Sequence, residues 1–201
     1  MINQMRIFIC LGAVFLMCAQ QMVGCQQKWS QDRLTMTTYG TFNNTPGQGW
    51  RELAANSEFK KAATLIQRYI DANTSILEPW EVGILQFHMG QMQACAGKTS
   101  LALESLSNAA TANISGGAQA EFMSYVIATQ AFLEGNEAAL KSAQESIMKA
   151  KKSSANDILR MKIQVLRNRF GSSYRNAWIA AANVAVPTSD LVDELVPRQT
   201  R

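Results

Sequence analysis

Two stretches of the chain repeat one pattern 38 residues apart, and this repeat restricts the fold more than any other feature. Alignment places MGQMQACAGKTSLALESLSNA over IATQAFLEGNEAALKSAQESI, with Gly90 on Ala128 and Gly97 on Gly135. Apolar residues at helical spacing precede and follow the second glycine of each pair. Each copy is therefore predicted to form two antiparallel helices joined by a tight turn.

Two further copies extend the pattern in both directions. One lies about 40 residues earlier and includes Ser57 and Ile66, and the other is VLRNRFGSSYRNAWIAA, with Gly171 at its turn. Helical hairpins with small residues at matched positions approach closely and bury a shared core. The sequence predicts an all-α fold of stacked antiparallel helical hairpins over residues 50–182.

The order of these residues resembles the tetratricopeptide repeat. That family has a small residue in its first helix, a glycine turn, and spaced Ala, large apolar and Ala positions in its second helix. The matching positions here are Gly90, Gly97, Ala102, Leu106 and Ala109. The segments are also similar to an uncharacterised bacterial family of helical-repeat proteins. The resemblance implies an α-solenoid whose inner face binds peptides or protein segments, and it implies no enzymatic activity.

Composition is compatible with one soluble folded unit, since 47% of the residues are hydrophobic and 17% are charged. The charges are unevenly distributed. Residues 51–140 contain five basic and nine acidic residues, whereas residues 141–175 contain nine basic and two acidic ones. The basic segment is either a surface for anionic lipid or an acidic partner, or a solvated helix face.

The first 24 residues are predicted to be a signal peptide. Arg6 precedes an apolar run from Ile7 to Ala19, which is shorter than the roughly 20 residues of a membrane span. The run leads to MVGC, which resembles the lipobox of bacterial lipoproteins. The resemblance implies cleavage before Cys25 and lipid attachment to its thiol. The alternatives are an uncleaved anchor, or an ordinary cleaved signal with Cys25 incidental.

The lipobox resemblance also implies a cellular location. It predicts a lipoprotein anchored to a membrane of the bacterial cell envelope through acylated Cys25. Gln26 replaces the aspartate that retains lipoproteins at the inner membrane, so the outer membrane is favoured. Cleavage would remove Cys10 and Cys18 and leave Cys95 as the remaining thiol, so no intramolecular disulfide is expected.

Residues 25–49 and 183–201 are predicted to lie outside the helical repeats. Polar residues and turn formers dominate SQDRLTMTTYGTFNNTPGQG, which favours a flexible tether between the lipid and the domain. The last residues, VPTSDLVDELVPRQTR, are predicted to be a C-terminal tail.

The segment FHMGQMQACAG contains His88, the only histidine, and Cys95. A zinc site needs three or four ligands, and no further histidine or CxxC pair supplies them. Seven helical positions separate the two side chains by roughly 10 Å, too far for a nucleophilic pair. The repeat register instead predicts that His88, Gln91 and Tyr125 lie on the inner face and bind a partner. The alternative is that they pack between helices.

No phosphate-binding loop occurs, and the basic run KAKKSS lacks the aromatic residues typical of nucleic-acid binding. We therefore expect no cofactor, no metal and no nucleic-acid partner. The predicted function is a non-enzymatic binding or scaffold module for a protein or peptide of the envelope. Two alternatives are an enzyme with a site around His88, and a structural subunit bound through its C-terminal tail.

Overall fold

Helices account for all the regular secondary structure that the structure describes. The computed structural model describes residues 29–116, 120–150 and 153–182, and these ranges contain no strand. The helices are α1 (Gln31–Met36), α2 (Tyr39–Asn44), α3 (Gly49–Ala55), α4 (Phe59–Asn73), α5 (Pro79–Cys95), α6 (Thr99–Gly116), α7 (Ala120–Glu134), α8 (Glu137–Lys149), α9 (Ser154–Asn168) and α10 (Tyr174–Ala182). The predicted all-α class is confirmed.

Helix α5 shows how local sequence sets a helix start. Glu78 and Glu81 form a capping box, in which each side chain accepts a hydrogen bond from the backbone of the other residue. The Glu78 N–H lies 3.0 Å from Glu81 Oε2. Pro79 occupies the first helical position, where the missing N–H costs nothing. These residues satisfy backbone donors that the helix itself leaves free.

Three helices end in the same turn. Ser57 after α3, Gly97 after α5 and Gly135 after α7 have φ values of 60°, 74° and 69°. The N–H of the following residue donates to the carbonyl five residues earlier, in the pairs Glu58–Leu53, Lys98–Gln93 and Asn136–Ala131. This is the Schellman arrangement, which needs a left-handed residue. The glycine turns predicted from the repeat are confirmed.

Gly171, with φ of 82°, lies in the connection after α9. The described residues therefore contain four helix–turn–helix units: α3–α4, α5–α6, α7–α8 and α9–α10. The two helices of each unit contact each other, and consecutive units also touch through α4–α5 and α6–α7.

Gly90 allows α5 and α6 to approach closely. A Cβ atom at this position would lie 3.0 Å from Leu106 Cγ and 3.1 Å from the Ala102 carbonyl oxygen. Both α6 residues are fully buried, so neither has free space to move into. The small residue that the repeat pattern singled out is thus required by the contact between the two helices.

Gly90→Ala is predicted to lower the free energy of unfolding by about 1–2 kcal/mol. Overpacking costs about 1–3 kcal/mol, and the higher helix propensity of alanine returns up to about 1 kcal/mol. Gly40→Ala is the control, because a Cβ there meets nothing within 4 Å. Urea unfolding followed by circular dichroism should show the loss for Gly90→Ala alone. Equal stability of the two variants would contradict the close-contact explanation.

The flexible tether predicted for residues 25–49 is wrong from residue 31 onward. α1 and α2 are helical, and Leu34 and Phe42 are fully buried. Phe42 stacks on Tyr69 of α4 at 3.8 Å between ring centroids. Asn73 Nδ2 donates to the Leu34 carbonyl oxygen at 3.2 Å. A few apolar side chains, each buried on α4, outweigh the turn-forming composition of the segment.

α10, the last described helix, packs against α5, although four helices separate the two elements in the chain. All the described helices belong to one compact unit that begins at Gln31. None of the helices in the described ranges is both long and apolar enough to span a bilayer. The predicted signal peptide, Cys25 and the predicted tail at 183–201 lie outside the described residues.

Candidate functional site

A cavity of about 370 Å³ lies among helices that come from all four units. Its wall combines residues of the first helices α3, α5, α7 and α9 with residues of α2 and α10. The lining residues are Tyr39, Asn43, Asn44, Trp50, Arg51, Trp80, Ile84, Phe87, His88, Gln91, Phe122, Tyr125, Ala155, Ile158, Leu159, Lys162, Trp178, Ala181 and Ala182. A volume of this size is within the range of small-molecule sites.

Four polar lining residues come from the first helices of successive hairpins. Arg51, His88, Tyr125 and Lys162 follow one another at intervals of 37 residues, on α3, α5, α7 and α9. Counted back from Ser57, Gly97, Gly135 and Gly171, they lie six, nine, ten and nine positions earlier, so they are not one equivalent position of a repeat. The four first helices thus bring four different polar side chains to one cavity.

The Gln91 side chain joins the polar residues of the cavity floor. Its Nε2 donates to the Tyr125 hydroxyl oxygen at 3.1 Å and to the Tyr174 hydroxyl oxygen at 3.2 Å. Its Oε1 lies 3.2 Å from His88 Nδ1. Because an amide oxygen only accepts, His88 carries its proton on Nδ1 in this arrangement, and Nε2 is left as an acceptor. The three residues predicted to bind a partner are therefore connected.

His88 is held as a neutral imidazole. Its ring stacks on the Trp50 indole, with 4.7 Å between centroids and 30° between planes. The side chain is half-buried and faces the cavity. Burial lowers its pKa to about 3, the positive charges of Arg51 and Lys162 act in the same direction, and the Gln91 hydrogen bond opposes them.

Two cations line the cavity without a carboxylate beside them. The Arg51 guanidinium lies 4.3 Å from the Trp50 ring centroid, and its Nε donates to the Asn43 carbonyl oxygen. Lys162 Nζ lies 5.8 Å from the Tyr125 ring centroid. Burial lowers the pKa of Arg51 to about 10 and also lowers that of Lys162. No Asp or Glu is among the described lining residues.

Cys95 does not join His88 in a reactive pair. The thiol is buried, with 6% of the residue exposed, and it is not among the residues that line the cavity. Burial raises its pKa to about 12, so the thiolate that a nucleophile requires is scarce at neutral pH. Among the described residues, no group of three or more His, Cys, Asp and Glu side chains is placed to hold a metal ion.

Both sequence interpretations of the inner-face residues describe part of the structure. Gln91 and Tyr125 are only 4% exposed, as packing between helices predicts, yet both line the cavity together with His88. The sequence analysis missed Arg51 and Lys162. The 37-residue spacing through His88 and Tyr125 was the signal that would have found them.

The basic segment at 141–175 is more than a solvated face. Lys162 points into the protein at the cavity wall. Arg160 donates to the carbonyl oxygens of Ile147 and Ala150, at 3.1 Å and 2.6 Å, and joins α9 to the end of α8. Arg167 donates to Gln144 Oε1 of α8. Several of the basic side chains thus stabilise contacts within the fold.

Comparisons of this chain with protein-family models, with curated proteins and with solved structures find no match. The candidate function therefore rests on the residues and the geometry of the cavity.

His88 is predicted to remain neutral down to about pH 4 in the folded protein. Its folded pKa of about 3 lies below the unfolded value of about 6.5, so the unfolded chain binds a proton first. Stability is therefore lost as pH falls below about 6.5. Between pH 8 and pH 5, this proton should cost about 2 kcal/mol. The imidazole Cε1–H resonance in proton NMR measures the pKa directly, because the chain has one histidine.

His88→Gln is the matched variant for the stability measurement. It retains a polar side chain and removes the titrating group, so its free energy of unfolding should fall less than that of the wild type between pH 8 and pH 5. An imidazole resonance that titrates near pH 6.5 in the folded protein would contradict the buried, cation-flanked environment.

Proposed function

We propose that this protein is a non-enzymatic binding module, built as a tetratricopeptide-like array of helical hairpins and anchored to the bacterial cell envelope through lipid on Cys25. The observation that carries the proposal is the cavity to which the first helices of four successive hairpins each contribute a polar side chain, through Arg51, His88, Tyr125 and Lys162.

The distribution of lining residues supports the repeat-array part of the proposal. The first helices α3, α5, α7 and α9 all contribute to the cavity wall, whereas the second helices α4, α6 and α8 contribute no lining residue within the described ranges, and α10 is the exception among the second helices. A stacked array of hairpins has this property, because the first helices share one face and the second helices the opposite face.

The chemistry of the lining supports binding over catalysis. Three tryptophans, two phenylalanines and two tyrosines supply broad apolar contact area. The Gln91 amide already engages His88 Nδ1 and the Tyr125 hydroxyl, and burial raises the pKa of Tyr125 further above its ordinary value. No described carboxylate lines the wall to act as acid or base for His88. The enzyme hypothesis around His88 therefore has less support than recognition.

The cavity volume restricts what part of a partner can enter. About 370 Å³ accommodates a group the size of one or two amino-acid side chains. We propose that the partner is a protein or peptide of the envelope that inserts such a group, while α10 forms one side of the opening through Ala182, an exposed lining residue.

Ala182→Trp is predicted to obstruct the cavity and to abolish specific capture of the partner. The position is exposed, so the large side chain is compatible with folding. The experiment uses the full acylated protein as bait for proteins of solubilised envelopes, with quantitative mass spectrometry of the captured proteins.

Asn176→Trp provides the control on the same helix, because Asn176 is exposed and does not line the cavity. A partner that is captured by the wild type and by Asn176→Trp, and lost with Ala182→Trp, supports recognition through the cavity. Identical captured proteins for all three would overturn it.

The membrane attachment rests on the lipobox MVGC, which contributes the thiol that carries the lipid. Two or more acyl chains hold a protein firmly on a membrane, since each buried CH₂ contributes about 0.8 kcal/mol. Gln26 after the cysteine favours the periplasmic face of the outer membrane over the inner membrane.

Cys25→Ser is predicted to move the protein from the membrane fraction to the soluble fraction, because serine cannot carry the thioether-linked lipid. Fractionation and mass measurement of the N-terminal peptide report the change. Cys95→Ser is the control, since Cys95 is buried far along the chain and should leave membrane attachment unchanged. Full membrane retention of Cys25→Ser would contradict lipidation at this site.

A further inference from the structure

We propose that the cavity recognises a carboxylate joined to an aromatic or branched apolar group. This inference rests on the proposed binding function and names the chemistry of the ligand. It is carried by three features of the lining: two half-buried cations without a described carboxylate partner, one buried donor without an acceptor, and apolar walls around them.

The cations require a negative charge that the described residues do not provide. Arg51 and Lys162 both line the cavity, and neither forms an ion pair with a carboxylate within the described ranges. A charge removed from water is costly unless a counter-charge or hydrogen bonds compensate it. Arg51 and Lys162 line the same cavity, and after burial the positive charge of Arg51 also lowers the pKa of Lys162, as repulsion between like charges does. A carboxylate between them would neutralise this repulsion.

The Trp50 indole provides an unused donor at the same wall. The residue is 2% exposed, and its Nε1–H has no hydrogen-bond partner. An indole nitrogen only donates, so its missing partner must be an acceptor, as a carboxylate oxygen is. Arg51 lies over the ring of the same tryptophan, which places the donor and the cation side by side. Asn43 Oδ1 is also unpaired, but it only accepts and therefore plays no part in holding an anion.

The remaining wall requires an apolar body attached to the carboxylate. Trp80, Ile84, Phe87, Phe122 and Ile158 line the cavity and offer no charged group. The volume of about 370 Å³ corresponds to ~12 water molecules of about 30 Å³ each, a measure of the ligand size. A small aromatic acid fits this combination of charge, surface and size, whereas inorganic phosphate would leave the apolar wall without contacts.

Matched acids and amides test the charge requirement. We would measure binding of 3-phenylpropionate and 3-phenylpropanamide to the full chain by isothermal titration calorimetry. A second pair, acetyl-Ala-Ala-Ala-Phe with a free or an amidated carboxyl end, distinguishes a free acid from a chain end as the source of the carboxylate. We expect each acid that binds to bind at least tenfold more tightly than its amide.

Lys162→Met separates recognition of charge from the shape of the cavity. It should weaken binding of the acid at least tenfold and change binding of the amide less than twofold. The ligand-free variant should also melt at a higher temperature than the wild type, because it no longer holds a half-buried ammonium without a described carboxylate partner. Lys149→Met, at an exposed lysine outside the cavity, should change neither property. Arg51→Gln is a second variant, and it should also lose the preference for the acid over the amide.

The results separate the two levels of the proposal. An acid-over-amide preference in either pair, lost in Lys162→Met, supports the carboxylate assignment, and the pair that binds more tightly identifies the source. Equal binding of acid and amide overturns this inference but leaves the cavity as a binding site. If none of the four compounds binds, the carboxylate inference is also overturned. The proposed binding function then fails only if Ala182→Trp leaves capture of the partner unchanged. If Lys162→Met weakens binding of the acid and of the amide equally, Lys162 has only a packing role, and its part in anion recognition is overturned.

Discussion

The hydrogen bonds of the Gln91 side chain link three helices at the cavity. Its two amide hydrogens and its oxygen are all used, by Tyr125 of α7, Tyr174 of α10 and His88 one turn away on α5. Three helices that are distant in sequence therefore meet at one amide. Each buried polar partner would cost about 1–3 kcal/mol if left unsatisfied, so the network fixes the positions of all three helices and of the imidazole. α10 packs against α5 and contributes Trp178, Ala181 and Ala182 to the lining of the cavity.

Hydrogen bonds are complete at the floor of the cavity and incomplete at its wall. The floor residues donate to and accept from one another, whereas the Trp50 indole N–H has no acceptor and no described carboxylate lines the cavity beside Arg51 and Lys162. Residues that serve only stability tend to be paired when they are buried. The contrast within one cavity separates the part that builds the fold from the part that is free to recognise a ligand.

Much of the fold was predictable because its determinants are local. Gly97 and Gly135 signal their turns directly, and the capping pair Glu78 and Glu81 precedes an apolar helical pattern. The helices at 31–44 were not predictable by the same reasoning, since Phe42 is buried through its contact with Tyr69, which is remote in sequence. For the site, the inner-face prediction named His88 and Gln91, and both line the cavity. Arg51 and Lys162 were missed because charged side chains are ordinarily solvated, and only the tertiary arrangement places them at the wall of a cavity.

The equal spacing of Arg51, His88, Tyr125 and Lys162 has a consequence for how such a protein diversifies. The turn residues and the close-packed positions that define each hairpin are different from the residue that each hairpin presents to the cavity. The residues that build the hairpins and the residues that define the chemistry of the cavity are thus separate. Substitution at one of the four positions changes that chemistry while the turn and packing residues stay intact. The four positions now carry a guanidinium, an imidazole, a phenol and an ammonium, and each can be varied without altering a turn.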